Sequence, residues 1–187
     1  MARTSQPQKD TPQRVKPHTP SLIEKADFGF KGDALGETVE EFQTRNSNAR
    51  CFGEVLVKCQ LNEQSLLGIK LDTAEYSFFG GKLCQINLAV FTSINGHKRS
   101  EHNDTYEAVR SAYQRKYGDS ALSNEAVYQN GFGALSSVHS LLWTDSIRHY
   151  GLTLTDSPGE YVNVIFSDLT AVVKAKKATS KIKPDDM

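Results

Sequence analysis

The chain repeats itself. A helix start at Gly36-Glu37-Thr38-Val39-Glu40-Glu41-Phe42 precedes an aromatic stretch from Tyr76 to Lys82 and an alternating run that reaches Phe91. The order recurs with a second start at Asp104, then Leu141-Leu142-Trp143, then Tyr150 to Leu154. The separations are about 66, 65 and 66 residues, too long for a solenoid repeat and suited to two similar α+β units. This pattern predicts a scaffold and no particular chemistry.

Each helix start carries its own stop and start signals. Thr38 stands three residues before Glu41, so hydroxyl and carboxylate can satisfy each other's orphan backbone N–H groups. Val39 and Phe42 share one face of that short helix. In the second helix, read as Asp104 to Tyr117, the residues Tyr106, Val109, Tyr113 and Tyr117 form a single stripe, with Gly118 placed to end it.

Strand signals fill the remainder. Val55, Val57, Cys59 and Leu61 alternate with polar neighbours, as do Leu67, Ile69 and Leu71. Tyr76 and Phe78 form one arm of a hairpin, and Cys84, Ile86, Leu88 and Val90 the other. A two-residue Gly80-Gly81 turn would pair Ser77 with Cys84 and set polar against apolar. A three-residue loop with a bulge, Phe79-Gly80-Gly81 with Gly81 as its left-handed residue, pairs Tyr76 with Cys84 and is therefore expected. Residues 119–136, rich in Ser, Asn and Gly, read as a connection with room for one helical turn. Strands are expected at His139 to Thr144, His149 to Thr155 and Tyr161 to Ser167. The fold class is α+β: two similar units, each a helix on an antiparallel meander, with about seven strands in all.

Composition sets the boundaries. The 38% hydrophobic content is lowered by both ends. Residues 1–26 open with four cations, Arg3, Lys9, Arg14 and Lys16, against Asp10, and contain few apolar side chains. Residues 171–187 carry five lysines against Asp185 and Asp186. Both ends read as basic disordered tails, since neither can bury enough surface to offset its ordering entropy. Units at 27–95 and 96–170 lie between them. The net charge is zero, so the body between the tails is acidic, which argues against nucleic acid as a partner. No apolar run is long enough to span a bilayer, and no signal peptide is evident. The sequence as it stands is read as cytoplasmic, or as periplasmic or envelope-located if a signal peptide has been removed.

The search for chemistry is mostly negative. Cys51, Cys59 and Cys84 lack metal or redox spacing; buried reduced thiols are expected, with a single disulfide as the alternative. His97 and His102 share a polar loop with Glu101 and Asp104, too loose a set for a metal site. No Walker loop, dinucleotide fingerprint or G-x-S-x-G elbow appears. No catalytic residue, metal or cofactor is therefore expected. His139 and His149 could face each other on adjacent strands. Phe79 at a loop tip, Trp143 and Tyr161 are the aromatics that could grip a protein partner.

The stretch Leu35-Gly36-Glu37-Thr38-Val39-Glu40-Glu41-Phe42 and the helix end Tyr113-Gln114-Arg115-Lys116-Tyr117-Gly118-Asp119 carry a resemblance. A helix opening on Gly-x-Thr-x-x-Glu before an antiparallel meander, twice over, resembles the β-lactamase-inhibitor-protein-like and SmpA/OmlA-like modules of bacteria. That resemblance implies an envelope-located, non-enzymatic protein-binding domain. The expected role is a protein-interaction module acting through its sheet face and loop tips, its partner another protein. The alternative is a small ligand or substrate bound in the cleft between the two units.

Overall fold

The computed structural model describes residues 28–91, 99–129, 135–145, 149–157 and 161–180. The elements run β1 Gly29–Phe30, β2 Asp33–Ala34, α1 Val39–Arg45, β3 Arg50–Phe52, β4 Leu56–Gln60, β5 Ser65–Leu66, β6 Ile69–Lys70, β7 Thr73–Phe79 and β8 Lys82–Phe91. There follow α2 Arg99–Tyr117, β9 Leu122–Gln129, β10 Leu135–Asp145, β11 Tyr150–Ser157, β12 Tyr161–Asp168 and α3 Leu169–Thr179. The α+β class holds, with three helices among the described residues. No helix among the described residues is long and apolar enough to cross a membrane. The expected tail at 1–26, the residues Gly131-Phe132-Gly133, and His97 lie outside the described residues.

Eight strands form one antiparallel sheet in the order β3-β4-β7-β8-β12-β11-β10-β9, and β1-β2 and β5-β6 are separate two-stranded pairs. The expected total of about seven is thus corrected upward. The strand that sequence missed most plainly is β9, in the segment read as a connection. At the centre β8 pairs with β12, Leu88 opposite Val164 and Ile86 opposite Phe166. From this seam the strands run outward in reverse chain order on both sides. By position β8 is matched by β12 and β7 by β11, one strand later than the sequence spacing had set them.

Alternation decides which face is buried. Ile86, Leu88 and Val90 of β8, Val162, Val164 and Phe166 of β12, and Leu152 and Leu154 of β11 all enter one core. Two helices cover that face. α1 begins at Thr38, whose hydroxyl accepts the Glu41 N–H at 3.2 Å while the Glu41 carboxylate accepts the Thr38 N–H at 2.8 Å, the expected capping box. These bonds hold the Glu41 carboxyl below its usual range. Phe42 is fully buried, its ring 4.6 Å from that of Tyr76 and 5.3 Å from that of Phe78. Burying such a ring contributes about 2–3 kcal/mol. α2 begins at Arg99 rather than Asp104, so Asp104 lies inside the helix and is no cap. Its stripe is as expected: Val109, Tyr113 and Tyr117 are buried, and Tyr113 meets Phe166 edge-on at 6.0 Å.

The β7–β8 hairpin departs from the expected three-residue loop. Phe79 pairs with Lys82, leaving a two-residue Gly80-Gly81 turn. Both glycines have positive φ, +59° and +75°, the conformation that a tight hairpin turn requires and that glycine adopts without a Cβ penalty. The conflict of faces is resolved by a bulge. Phe78 pairs with Leu83 and Ser77 with Gln85, so Cys84 is the extra residue. Its thiol donates to Ser77 O at 3.1 Å.

Two further expectations are corrected. Cys51 and Cys59 are directly opposite across β3 and β4 and form a disulfide, leaving only Cys84 as a buried free thiol. Residues 171–180, read as part of a disordered tail, belong to α3 and its cap. Asp168 caps α3, accepting the Ala171 N–H at 2.8 Å, and Ala175 is buried.

Candidate interaction face

Alternate residues of the same strands build the second face of the sheet. One row across it reads Asn124, Ser140, Thr155, Asn163, Ala89 and Thr73. The next reads Leu122, Leu142, Thr153, Ile165, Asn87 and Glu75. This surface is Asn, Thr and Ser with a short aliphatic line through it. Ser140 and Thr155 hydroxyls lie 3.4 Å apart, and Gln85 Nε2 donates to Ser167 Oγ at 3.4 Å. The Oδ1 atoms of Asn87 and Asn163 are buried without a hydrogen-bond partner.

The described residues cover only part of this face. α3 packs against β7, β8 and β12. Its Leu169 side chain comes within 3.2 Å of where a Cβ on Gly151 would stand, on the side away from the core. The residue that α3 buries is the small Ala175. Toward β9 the face opens: Leu122 is 63% exposed, Asn124 is exposed, and Ser140, Leu142, Thr153 and Thr155 are half-exposed.

The residues singled out from sequence are scattered. Phe79 is the last residue of β7, half-buried and paired with both Lys82 and Leu56, so it is not a loop tip. Trp143 is fully buried on the helix face, and its Nε1 donates to Gly118 O at 2.8 Å, closing the end of α2. Tyr161 lies on the second face, half-buried at the beginning of β12, and Phe79 follows Glu75 and Ser77 onto that side at the end of β7. His139 and His149 do not face each other. His139 pairs with Asp156 in register, whereas His149 follows the opposite end of β10, exposed, with its carbonyl accepting Leu169 N–H at 2.9 Å. His139 Nε2 lies 3.7 Å from Glu125 and lines a cleft of about 350 Å³ with Tyr106, Glu107, Arg110 and Asp156. Burial raises the Tyr106 phenol there, against a lowering contribution from Arg110.

Two other charged places need an account. Arg45 of α1 bridges the buried Asp33, at 3.1 Å, and Glu37, while Asn46 Nδ2 donates to Asp33 Oδ1 at 3.0 Å. Burial raises the Glu37 carboxyl and Arg45 opposes that shift. Burial also raises the Tyr76 phenol beside them, reinforced by the Asp33 charge. This cluster ties β2 to α1; Arg45 already occupies the place a cationic ligand would take. Among the described residues no group of three or more His, Cys, Asp or Glu is arranged to hold a metal. A second cleft, of about 480 Å³, lies where the β7–β8 turn meets Tyr150 and α3.

The residues that make the second face, Thr155, Asn163, Ile165 and Asn87, were not found by sequence reasoning. Their only signal is that they are the polar beats of alternating strands, which does not tell an open face from a covered one. No protein-family model, curated protein or solved structure matches the chain, so the reading of this face rests on its residues and geometry.

Proposed function

We propose that the chain is a non-enzymatic protein-interaction module that docks a partner on the second sheet face. The two halves of the sheet, each with its own helix, act as two similar units joined at the β8·β12 seam. The observation that carries this reading is the open, β9-side part of the face, where Leu122, Leu142 and Ile165 run between Thr and Asn side chains. A short aliphatic line inside a hydrogen-bonding surface is the composition of a docking site with a dry centre and a polar rim. Support against an enzyme comes from the one free thiol: Cys84 is buried, and burial pushes it up to about 11, which leaves it unreactive at neutral pH. The Cys51–Cys59 bridge favours the envelope reading, because disulfides persist in oxidising compartments.

A photo-crosslinking residue placed at Thr155, and separately at the exposed Glu40 of α1, tests the face in cells. A discrete cross-linked partner is expected from position 155 only. Thr155→Arg should weaken that partner's affinity by about 30-fold if the position is an interface hot spot. Equal cross-linking from both positions, or unchanged affinity in the Arg variant, would end this reading.

A further inference from the structure

The cleft of about 480 Å³ at the junction of the two halves has a composition of its own. Phe79 and Leu83 come from the β7–β8 hairpin, Tyr150 from β11 and Ala171 from α3; together they supply an apolar floor. Two lysines, Lys82 and Lys174, also line it. We propose that this cleft binds a small amphipathic monocarboxylate, with its apolar body on Phe79 and Leu83 and its carboxylate between Lys82 and Lys174.

Charge and hydrogen-bond accounting select that class. Lys82 Nζ donates to Gly36 O at 3.3 Å, a single long bond that leaves two of its three donors for a ligand. Lys174 makes no hydrogen bond or ion pair with any described residue. The carboxylate in the wall, Asp168, is committed to the Ala171 N–H as the helix cap. Among the lining residues two cations stand against one engaged anion, and the Glu41 carboxylate near Lys82 offsets more of that charge, so the cleft suits at most a monoanion and disfavours a dianion such as a phosphate monoester. The volume is that of a small-molecule site, and such sites pair an apolar lining with a few placed polar groups. Cys84 also lines the cleft, but its proton is held in the bond to Ser77 O, so binding is non-covalent. His139 and His149 take no part. This ligand site is separate from the protein-docking face, and either reading can fail without the other.

The experiment uses the full chain, titrated by calorimetry and amide NMR with 4-phenylbutyrate and with neutral 4-phenylbutyramide. The acid is expected to bind about tenfold tighter than the amide, the worth of one charge-assisted hydrogen bond. Shifts are expected at Tyr150, Thr170 and Ala171. Lys174→Gln, on an exposed helix position, and Lys82→Gln should each reduce the acid's affinity about three- to tenfold and leave the amide unaffected. Ala171→Trp should fill the cleft and abolish both, with thermal unfolding showing each variant folded. A tripeptide ending in phenylalanine, free or amidated at its C-terminus, separates the two sources of this chemistry. Binding of the free-terminus peptide extends the site to chain ends, and binding of phenylbutyrate alone restricts it to free acids. The proposal is overturned if acid and amide bind equally, if neither binds, or if Lys174→Gln and Ala171→Trp leave affinity unchanged. Thr155→Arg, which tests the docking face, should not alter phenylbutyrate binding.

Discussion

The two faces of the eight-stranded sheet are made from the same strands and do opposite work. On β12 the helix side presents Val162, Val164 and Phe166, all buried, while the second side presents Asn163, Ile165 and Ser167. On β10 buried Leu141 and Trp143 interleave with half-exposed Ser140, Leu142 and Thr144. One face holds the fold together under α1 and α2. The other is left with polar side chains, a small-residue helix over part of it and open strands beside that. Stability and availability have been assigned to alternate residues, so neither need compromise the other.

The sharpest way to break this comparison is a pair of neighbours. Trp143→Ala should cost about 3–5 kcal/mol in urea unfolding, since it empties the core and uncaps Gly118 O. Thr144→Ala, one residue along and facing the other way, should stay within about 0.5 kcal/mol; a cost comparable to that of Trp143 would refute the division of labour. Next in size is the β3 edge. Replacing Cys51 and Cys59 together by Ser should cost about 2–3 kcal/mol, the closure entropy of a short loop. Wild-type protein in reductant should unfold at the variant's midpoint. A smaller effect is expected at the α1 cap, where Thr38→Ala should cost about 1 kcal/mol.

The smallest expected effect is a pH trend on the helix side. Burial raises the Glu37 carboxyl above its unfolded value. The folded state therefore holds this proton more tightly, and the resulting stability is present below the unfolded value and lost as pH rises through the folded one. Glu37→Gln should accordingly gain on the wild type between acid and neutral pH. A difference between the two that is flat with pH would show that Arg45 fully compensates the buried charge.

What the sequence made legible was local. The Thr38–Glu41 box, the Tyr106-to-Tyr117 stripe and the alternation of β8 and β12 each lie within one element, where spacing alone fixes the face. What it hid needed a partner from elsewhere. A bulge was legible in the β7–β8 hairpin but its place at Cys84 was not, because a longer loop and a bulge within the strand are two solutions to one register conflict, and only the paired strand chooses between them. α3 was read as tail because the residue it buries is Ala175, which composition scores as weakly apolar among lysines. The disulfide depended on Cys51 and Cys59 falling opposite each other, which their spacing does not state. The site was less legible than the fold: of Phe79, Trp143, Tyr161, His139 and His149, only Phe79 and Tyr161 lie on the second side, each at the end of its strand, because aromatic identity says nothing about which side of a sheet a residue takes.

The β8·β12 seam has a consequence for how the molecule is made. β12, Tyr161–Asp168, follows β9, β10 and β11 in the chain, yet it is the strand that pairs with β8 and joins the two halves. During synthesis the first half can form its hairpins early, but β8 must wait with one edge unpaired until β9, β10, β11 and β12 have emerged. Contacts so distant in sequence form slowly, and an unpaired edge beside Ile86, Leu88 and Val90 invites pairing with the wrong chain. Truncation before Tyr161 would make that waiting state permanent, so a nascent chain stalled there is the form most in need of a chaperone.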